Sequence, residues 1–268
     1  MAGLKPASLN PLDVDASLAV VQRLQQKRQE RDRLGQFFVE GVRNCIQAID
    51  HNLEIAAILY SEKLLIVPPA RQRIRQARRN GTPTIKLSPE QFRRVSTAER
   101  ASGVGLVLRQ HWSPLDCVSP QAGLCWLVLE TVRSPGNLGT LIRSSEAVGG
   151  AGLILLNNHI DPFDPNVVRA SMSSLLKQRL VRTNYRHLKR WIEQYRPQVI
   201  GASPEGQCNL HQFEYPPSVL LLLGEERKGL TQLQRQLCDH FVQIPMIGET
   251  DSLNLAVAGS LMLYEVLR

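Results

Sequence analysis

The sequence predicts an α/β protein in two parts, a small basic α/β domain followed by a larger domain built on a mostly parallel sheet. Its 268 residues exceed what one ordinary domain usually holds. Beyond residue 124, short apolar runs alternate with helical stretches, which is typical of a parallel sheet covered by helices on both faces. Charge divides at nearly the same place: residues 1–110 hold 18 Lys and Arg against 10 Asp and Glu, whereas residues 111–268 hold 14 of each class.

The whole net charge of +8 therefore belongs to the N-terminal part. Such asymmetry indicates a module that binds a polyanion, joined to a neutral one. The excess is most concentrated in a short stretch that contains Arg71, Arg73, Arg75, Arg78 and Arg79. We predict that Arg71, Arg75, Arg78 and Arg79 bind nucleic acid. The alternative is that these cations only solvate a helix face.

Local patterns in the N-terminal part predict helices and short strands. Residues 18–31 have helical spacing, and apolar strand signals occur within residues 34–43, 55–60 and 102–108. We interpret this part as a compact α/β domain with a helical extension at its N-terminus.

A linker is predicted between the two domains. Residues 111–124 contain two prolines and a glycine between apolar segments, the composition of a connection. The predicted organisation is a basic domain over residues 1–110, this linker, and a second domain over residues 125–268.

The second domain contains five short apolar runs that we predict as strands, at residues 125–129, 152–156, 198–202, 219–223 and 241–244. Their nearly continuous apolarity fits parallel strands buried on both faces. A doubly wound dinucleotide-binding domain would give the same pattern. No G-x-G-x-x-G follows the first strand, which weakens that alternative.

Three short motifs follow predicted strands of this domain. They read Glu130-Thr131-Val132-Arg133-Ser134-Pro135-Gly136-Asn137-Leu138-Gly139, continuing to Arg143; Gly224-Glu225-Glu226-Arg227-Lys228-Gly229-Leu230; and Ile244-Pro245-Met246-Ile247-Gly248, continuing to Ser252-Leu253-Asn254. Three motifs in this order, each at the junction of a strand and a loop, are a specific signal.

The trio resembles the SpoU/TrmH branch of the SPOUT methyltransferases. The resemblance implies a trefoil-knotted α/β domain, which works as a homodimer and transfers a methyl group from S-adenosylmethionine (SAM) to a ribose 2′-hydroxyl of RNA. The N-terminal part is similar to the ribosomal-protein-like domain that grips RNA in many members of the family. This similarity favours rRNA over tRNA as the substrate.

The first motif is interpreted as the start of a helix. Asn137 is predicted to be the N-cap of a helix over residues 138–148, and Arg143 lies near the same end of that helix. A helix N-terminus together with a guanidinium would stabilise an RNA phosphate or a developing alkoxide. The alternative is that Asn137 only caps and that Arg143 pairs with Glu130 or Glu146. The resemblance assigns Arg143 to activation of the 2′-hydroxyl, but an arginine holds its proton with a pKa above ~12. An orienting and electrostatic role is therefore predicted.

The second and third motifs are interpreted as cofactor loops, because glycines allow a backbone to approach a ligand closely. The resemblance implies that these loops hold SAM, and the predicted contacts are Leu223, Gly224, Ile244, Met246 and Leu253. The alternative for Ile244, Met246 and Leu253 is an ordinary place in the core.

Three further polar residues match the family's motifs: Glu226, Ser252 and Asn254. Together with Asn137 and Arg143 they form the predicted catalytic set. Asp251 or Ser252 would also suit the N-cap of a last helix over residues 254–267. That helix has small residues beside an apolar stripe, which suits the homodimer implied by the resemblance.

Two positions depart from the family's pattern. Ser134 stands where Asp is frequent, which puts an acid role there in doubt. Arg227 stands where Gly is common, and it is predicted to contact RNA phosphate instead.

Other function classes receive no support from the sequence. Five cysteines without a C-x-x-C pair, and scattered histidines, argue against a metal site and favour a reducing cytoplasm. No apolar run approaches the ~18–20 residues that span a bilayer, and the opening segment lacks the features of a signal or transit peptide. No Ser-centred nucleophile elbow occurs.

The sequence thus predicts a SAM-dependent RNA 2′-O-methyltransferase, with 23S-type rRNA preferred and tRNA as the other substrate. A noncatalytic RNA-binding or ribosome-assembly protein on the same scaffold is the rival. A methyltransferase that acts on a base is a third interpretation.

Overall fold

The computed structural model describes residues 9–268. The first eight residues of the predicted N-terminal domain, and with them most of the segment tested for a signal peptide, lie outside the described residues. The chain folds into two compact units. Unit 1 comprises the described residues up to Gln110 together with Phe163–Arg169, and unit 2 comprises His111–Pro162 and Ala170–Arg268.

Unit 1 is an α/β unit around a four-stranded sheet. Its helices are α1 (Val14–Gln26), α2 (Arg28–Leu34), α3 (Val42–Asp50), α4 (Pro68–Arg79) and α5 (Pro89–Arg93), and its strands are β1 (Gln36–Glu40), β2 (Ile55–Tyr60), β3 (Thr84–Lys86) and β4 (Val104–Arg109). The strand order is β1-β4-β2-β3, with β4 antiparallel to both neighbours and β3 parallel to β2. The three strand signals predicted for this part are confirmed.

The single helical pattern predicted over residues 18–31 is two helices. Asp13 caps α1 by accepting a hydrogen bond from the amide of Ala16, and Leu18, Val21 and Leu24 are buried on one face. Lys27 has extended backbone angles and ends α1 before α2 begins. Periodicity alone missed this break because Arg28 and the buried Arg31 continue the helical spacing of α1 across Lys27.

The segment 163–169 packs in unit 1, although it is distant in sequence. The rings of Phe163 and Phe37 have centroids 4.6 Å apart. Asp164 lies 3.8 Å from the buried guanidinium of Arg31. No sequence signal predicted that this segment would leave the domain placed at residues 125–268.

Unit 2 is built on a seven-stranded parallel sheet. Its strands are β5 (Trp126–Leu129), β6 (Gly152–Leu156), β7 (Leu180–Thr183), β8 (Gln198–Ala202), β9 (Cys208–Asn209), β10 (Val219–Leu223) and β11 (His240–Gln243), in the order β7-β6-β5-β10-β8-β11-β9. All neighbouring strands in this order are parallel. The five predicted strands and the mostly parallel sheet are confirmed. The trefoil knot stays a prediction from the resemblance.

The helices of unit 2 connect these strands. They are α6 (Pro135–Ala147), α8 (Tyr185–Tyr195), α9 (Gln232–Arg235) and α10 (Leu255–Leu267). The short α7 (Pro165–Ala170) follows β6 in sequence, but all of it except Ala170 belongs to unit 1. Helix α10 packs on α6 and β10, where a Cβ on Gly259 would clash with the side chains of Leu141 and Leu223. Gly259 thus serves packing within the chain.

Residues of the predicted linker pack in unit 2. Leu115 and Val118 belong to its buried apolar cluster. The indole of Trp126 donates a hydrogen bond of 2.9 Å to the carbonyl of Ser119. The apolar residues of this proline-containing segment therefore belong to the hydrophobic core of unit 2.

Candidate functional site

A cavity of about 420 Å³ opens in unit 2 beyond the ends of β8, β10 and β11. These strands are neighbours in the sheet, so their carboxyl ends meet at one edge. Ligands of open α/β sheets bind at such edges, and ~300–1,000 Å³ is the usual range for small-molecule sites. The lining comes from the segment after each strand: residues 202–205, residues 223–230, and residues 242–258 in part.

All five residues predicted to hold the cofactor line this cavity: Leu223, Gly224, Ile244, Met246 and Leu253. Leu223 is buried at the end of β10, while the others lie on the loops beyond the strands. Apolar side chains beside exposed loop backbone suit a ligand with a flat ring and polar substituents. The lining therefore fits the adenosine and methionine parts of SAM.

Gly224 has a structural reason to be a glycine in addition to the predicted approach of SAM. Glu225 and Gly229 exchange backbone hydrogen bonds of 3.0 and 2.9 Å, which close the loop after β10. A Cβ on Gly224 would overlap the backbone of Gly229 and Leu230. The loop's own backbone, and not only a ligand, occupies the space that a side chain would need.

Polar residues surround the same cavity. Glu226, Arg227 and Ser252, all predicted from the motifs, are among its lining residues. Glu205 and Arg235 form an ion pair of 3.0 Å at its wall.

Three predicted catalytic residues are joined in one hydrogen-bonded chain. The Asn254 Nδ2 donates to the Asn137 Oδ1 at 3.1 Å, and the Asn137 Nδ2 donates to the Glu226 Oε1 at 3.1 Å. Glu226 also accepts hydrogen bonds from the backbone amides of Arg133 and Ser134 at 3.1–3.3 Å. Asn137 of the first motif is therefore tied directly to one residue of each of the other two motifs.

The direction of this chain is fixed by its two ends. The Asn254 Oδ1 accepts from the amides of Ala256 and Val257, so the Asn254 Nδ2 must face Asn137. Burial alone would raise the pKa of Glu226, but hydrogen bonds from its own backbone amide, Asn137 and Arg133 outweigh it and lower the pKa. Glu226 is thus an ionised acceptor at neutral pH and is unsuited to act as a general acid.

We expect Glu226→Gln to lower the free energy of unfolding by about 1 kcal/mol at pH 7, because a Gln amide would face backbone N–H donors. The folded-state pKa lies below the ordinary 4.5. The stabilisation is therefore fully present above about pH 4.5 and is lost as the pH falls through the lowered pKa. Urea unfolding of both proteins from pH 7 to 4 measures this difference. A difference that grows toward pH 4 would contradict the assignment.

The predicted N-caps of both motif helices are wrong. Helix α6 begins at Pro135, with Ser134 at the N-cap position, so Asn137 is the third residue of the helix. Proline is favoured in a first helical turn, which explains the earlier start. Asn254, rather than Asp251 or Ser252, caps α10.

Arg143 is exposed on the third turn of α6 and does not line the cavity. Within residues 9–268 the structure pairs it with no carboxylate. Glu146 contacts Lys177, and Glu130 accepts hydrogen bonds from Asn157 and Tyr185. The alternative in which Arg143 pairs with Glu130 or Glu146 is therefore not realised.

The predicted RNA-binding arginines of α4 divide into two groups. Arg71 donates hydrogen bonds to the carbonyls of Leu65 and Glu62, so its guanidinium supports the start of the helix. Arg75, Arg78 and Arg79 are exposed.

One segment of the cavity was missed by the sequence reasoning. Ala202 ends β8, Ser203, Pro204 and Glu205 follow it, and all four line the cavity although they match no motif. The strand was predicted, and ligands bind at the carboxyl ends of parallel strands, but the place of β8 beside β10 is needed to select this strand end. Among the described residues, no cluster of His, Cys, Asp and Glu is arranged to hold a metal ion. No helix in that part of the chain is long and apolar enough to cross a membrane.

A ligand-sized cavity at the edge of a parallel sheet, lined by the second and third motifs and linked to the first motif through Asn137, defines an α/β methyltransferase that uses SAM. Comparison with family models matches residues 125–264 to the SpoU rRNA Methylase family and residues 19–105 to the MRM3-like substrate binding domain. The chain belongs to the SpoU rRNA methylase family, and SAM is its methyl donor.

The relatives extend over nearly the whole chain. The 23S rRNA (uridine(2479)-2'-O)-methyltransferase of Streptomyces viridochromogenes is 32% identical over 98% of this chain and 93% of its own length. The SpoU methyltransferase AviRb of the same organism, crystallised with AdoMet, is similar with a TM-score of 0.85 and 31% identity over 93% of this chain and 96% of its own. An AdoMet-bound rRNA methyltransferase from Sinorhizobium meliloti has a TM-score of 0.85 and 29% identity, with 93% of each chain covered.

Proposed function

We propose that this enzyme methylates a ribose 2′-hydroxyl of 23S-type rRNA. The observation that carries the proposal is the cavity at the sheet edge, which all five residues predicted to hold SAM line. The rRNA substrate is supported by the name of the Streptomyces relative, which matches both units and not only the methyltransferase part.

SAM and the side chains of the enzyme make different contributions to the reaction. When bound, SAM would supply an electrophilic methyl group: the ribose oxygen would bond to the methyl carbon as the carbon–sulfur bond breaks, and the sulfur would leave as a neutral thioether without help from a metal. Leu223, Ile244 and Met246 would hold its apolar parts, and Ser252 offers a hydroxyl to its polar groups. The positive charge of Arg143 would orient the ribose-phosphate and stabilise the negative charge that develops on the 2′-oxygen.

Glu226, Asn137 and Asn254 have a positioning role in this proposal. Their hydrogen bonds to each other and to backbone amides use most of their donors and acceptors. They hold the loop after β10, the first turn of α6 and the start of α10 at fixed distances. Correct placement of the reacting groups is the main requirement of a methyl transfer.

The direct test is incubation of the purified enzyme with methyl-labelled SAM and unmodified large-subunit rRNA, followed by nuclease digestion and mass spectrometry. We expect label on one ribose 2′-oxygen. A parallel reaction with tRNA distinguishes the two RNA substrates. SAM binding without labelling of either RNA would contradict catalysis and favour a noncatalytic RNA-binding protein. Label on a base would contradict the 2′-hydroxyl acceptor.

Unit 1 is the proposed RNA-binding unit, through the exposed cations of α4. Replacing Arg75, Arg78 and Arg79 together by Gln should weaken RNA binding and reduce the slope of log affinity against log salt by about 0.7–0.9 for each lost phosphate contact. SAM affinity should stay unchanged. Filter binding at several salt concentrations measures the slope, and an unchanged slope would remove these residues from the RNA-binding surface.

A homodimer through α10 is also proposed. Val257, Leu261 and Tyr264 are 44–56% exposed, and they line an apolar groove with Thr140 of α6. Apolar side chains clustered in this way suit a symmetric contact with a second copy.

Leu261→Asp should convert the dimer to a monomer, because a carboxylate would be buried without a partner at the contact. Light scattering measures the mass of the wild type and of the variant. Leu233→Asp is the matched control, since Leu233 is 55% exposed on α9, outside the groove. A wild-type enzyme that is monomeric at micromolar concentration would contradict the proposal. Action in the cytoplasm stays a prediction from the unpaired cysteines.

A further inference from the structure

Helix α4 presents two different polar faces to solvent. Arg73, Gln76, Ala77 and Asn80 recur at helical spacing and therefore lie on one stripe. At 3.6 residues per turn, Arg75, Arg78 and Arg79 form a second stripe on the other, solvent-facing side of the helix, with Arg79 nearest to the first stripe. One side of the helix therefore carries cations, and the other carries amide groups beside Arg73.

The amide stripe forms one wall of a surface cavity of about 350 Å³ in unit 1. The opposite wall comes from the end of α3 and the residues after it: Ile49, Asp50 and Asn52. We call this cavity, with Arg73, Gln76, Ala77 and Asn80 on the α4 side, the amide notch. Ile49 and Ala77 give it a small apolar surface, and the other residues are polar.

The polar groups of the notch differ in whether they have a hydrogen-bond partner within the described residues. The Arg73 Nε donates to the Asp50 Oδ1 at 2.7 Å, and this pair joins the two walls. The side-chain amides of Asn52, Gln76 and Asn80 make no hydrogen bond to another group of residues 9–268. Asn52 has a φ of 53°, a left-handed conformation that Asn tolerates better than most residues.

We infer that the amide notch receives a nucleobase of single-stranded RNA, while Arg75, Arg78 and Arg79 bind the adjoining phosphates. This inference rests on the proposed RNA-binding role of unit 1. An amide side chain offers a donor and an acceptor together, the pattern that base edges require. Unpaired bases are the usual targets of sequence-specific RNA recognition.

The composition of the notch argues against a simple anion site. Asp50 lies in its wall, and a phosphate there would meet that carboxylate. The cations on the other side of α4 suit phosphate better. In nucleic-acid recognition generally, contacts to phosphates position the protein on the strand, and contacts to bases determine the sequence specificity.

The test compares binding of short poly(A), poly(C) and poly(U) oligoribonucleotides to the full-length enzyme by fluorescence anisotropy. The variant is Gln76→Ala/Asn80→Ala, in which both changes lie on exposed helix positions and leave Asn52 in place. Gln72→Ala is the control, because Gln72 is exposed on α4 and does not line the notch. The Arg75, Arg78 and Arg79 triple variant is measured beside them.

We expect the wild type and Gln72→Ala to prefer one homopolymer by about tenfold. The double variant should bind all three with similar affinity and keep the wild-type salt slope. The arginine variant should weaken all three equally and lower that slope.

Two results overturn the inference while the RNA-binding role of unit 1 survives: a double variant that keeps the wild-type preference, or a wild type that shows none. An arginine variant with an unchanged salt slope would instead contradict the RNA-binding role of α4, and the base-reading notch would fail with it.

Discussion

Gly224→Ala is expected to abolish measurable SAM binding and to lower the free energy of unfolding by roughly 1–3 kcal/mol. The added methyl group would overlap backbone atoms of Gly229 and Leu230, which close the loop after β10. Backbone cannot rotate away as the end of a side chain can. The loop must therefore open, and residues 223–230, which form a large part of the cavity wall, must move with it.

Calorimetric titration with SAM and urea unfolding measure the two effects separately. Gly248→Ala is the matched control, because Gly248 lies on the loop of the third motif and an added Cβ there meets no atom within 4 Å. We expect the control to keep wild-type stability. A Gly224→Ala protein with wild-type SAM affinity would show that the cavity beyond β10 is not the SAM site.

The sheet of unit 2 was largely predictable because its central strands are buried on both faces. Leu220, Leu221 and Leu222 of β10 illustrate the signal, since every residue of that strand is buried. The edge strands carry no such signal. Only the first two residues of β7 are buried before the polar end at Arg182 and Thr183, and β9 has two residues in all.

The candidate site was predictable where a motif gives both residue types and spacing. The loops around Leu223 and Met246 were found in this way. Residues 202–205 were not, because the only signal for them is the place of β8 beside β10 in the sheet, and strand order is not written in the sequence. The contact between Asn254 and Asn137 joins positions 117 residues apart, and it depends on where both helices begin.

The predicted N-caps of α6 and α10 were wrong, and for α6 the reason lies in its local sequence. Asn137 is a good N-cap residue, but Pro135 is better suited to a first turn than to the chain before it. The side chain of Asn137 consequently faces Glu226 and Asn254 instead of the amides of its own helix. Of the two local signals the proline decided the start of the helix, and the tertiary contact of Asn137 follows from it.

Arg143→Ala is expected to reduce the rate of methyl transfer by about 10²–10³, the usual effect of removing one preorganised group that stabilises transition-state charge. SAM affinity should be unchanged, because Arg143 does not line the cavity. Single-turnover kinetics with saturating SAM isolate the chemical step from binding. Arg190→Ala is the control, since Arg190 is an exposed arginine on α8 outside the motifs.

Arg143→Lys distinguishes between the roles that remain. Lysine keeps the positive charge and loses the planar fork that binds a phosphate or an alkoxide through two hydrogen bonds. We expect a rate at least tenfold below that of the wild type if bidentate geometry matters. A near-normal rate would show that neither that geometry nor proton removal by the guanidinium is needed, and that charge alone suffices.

The pH dependence separates the electrostatic role from that of a general base. A guanidinium that removed the 2′-proton would have to lose its own proton first, and its ordinary pKa lies above ~12. No carboxylate of the described chain pairs with Arg143, so it is free to meet a phosphate. We therefore expect the rates of wild type and of Arg143→Ala, whose side chain cannot titrate, to run parallel from pH 6 to 9. A wild-type rate that rises through this range while the Ala variant stays flat would identify Arg143 as the base.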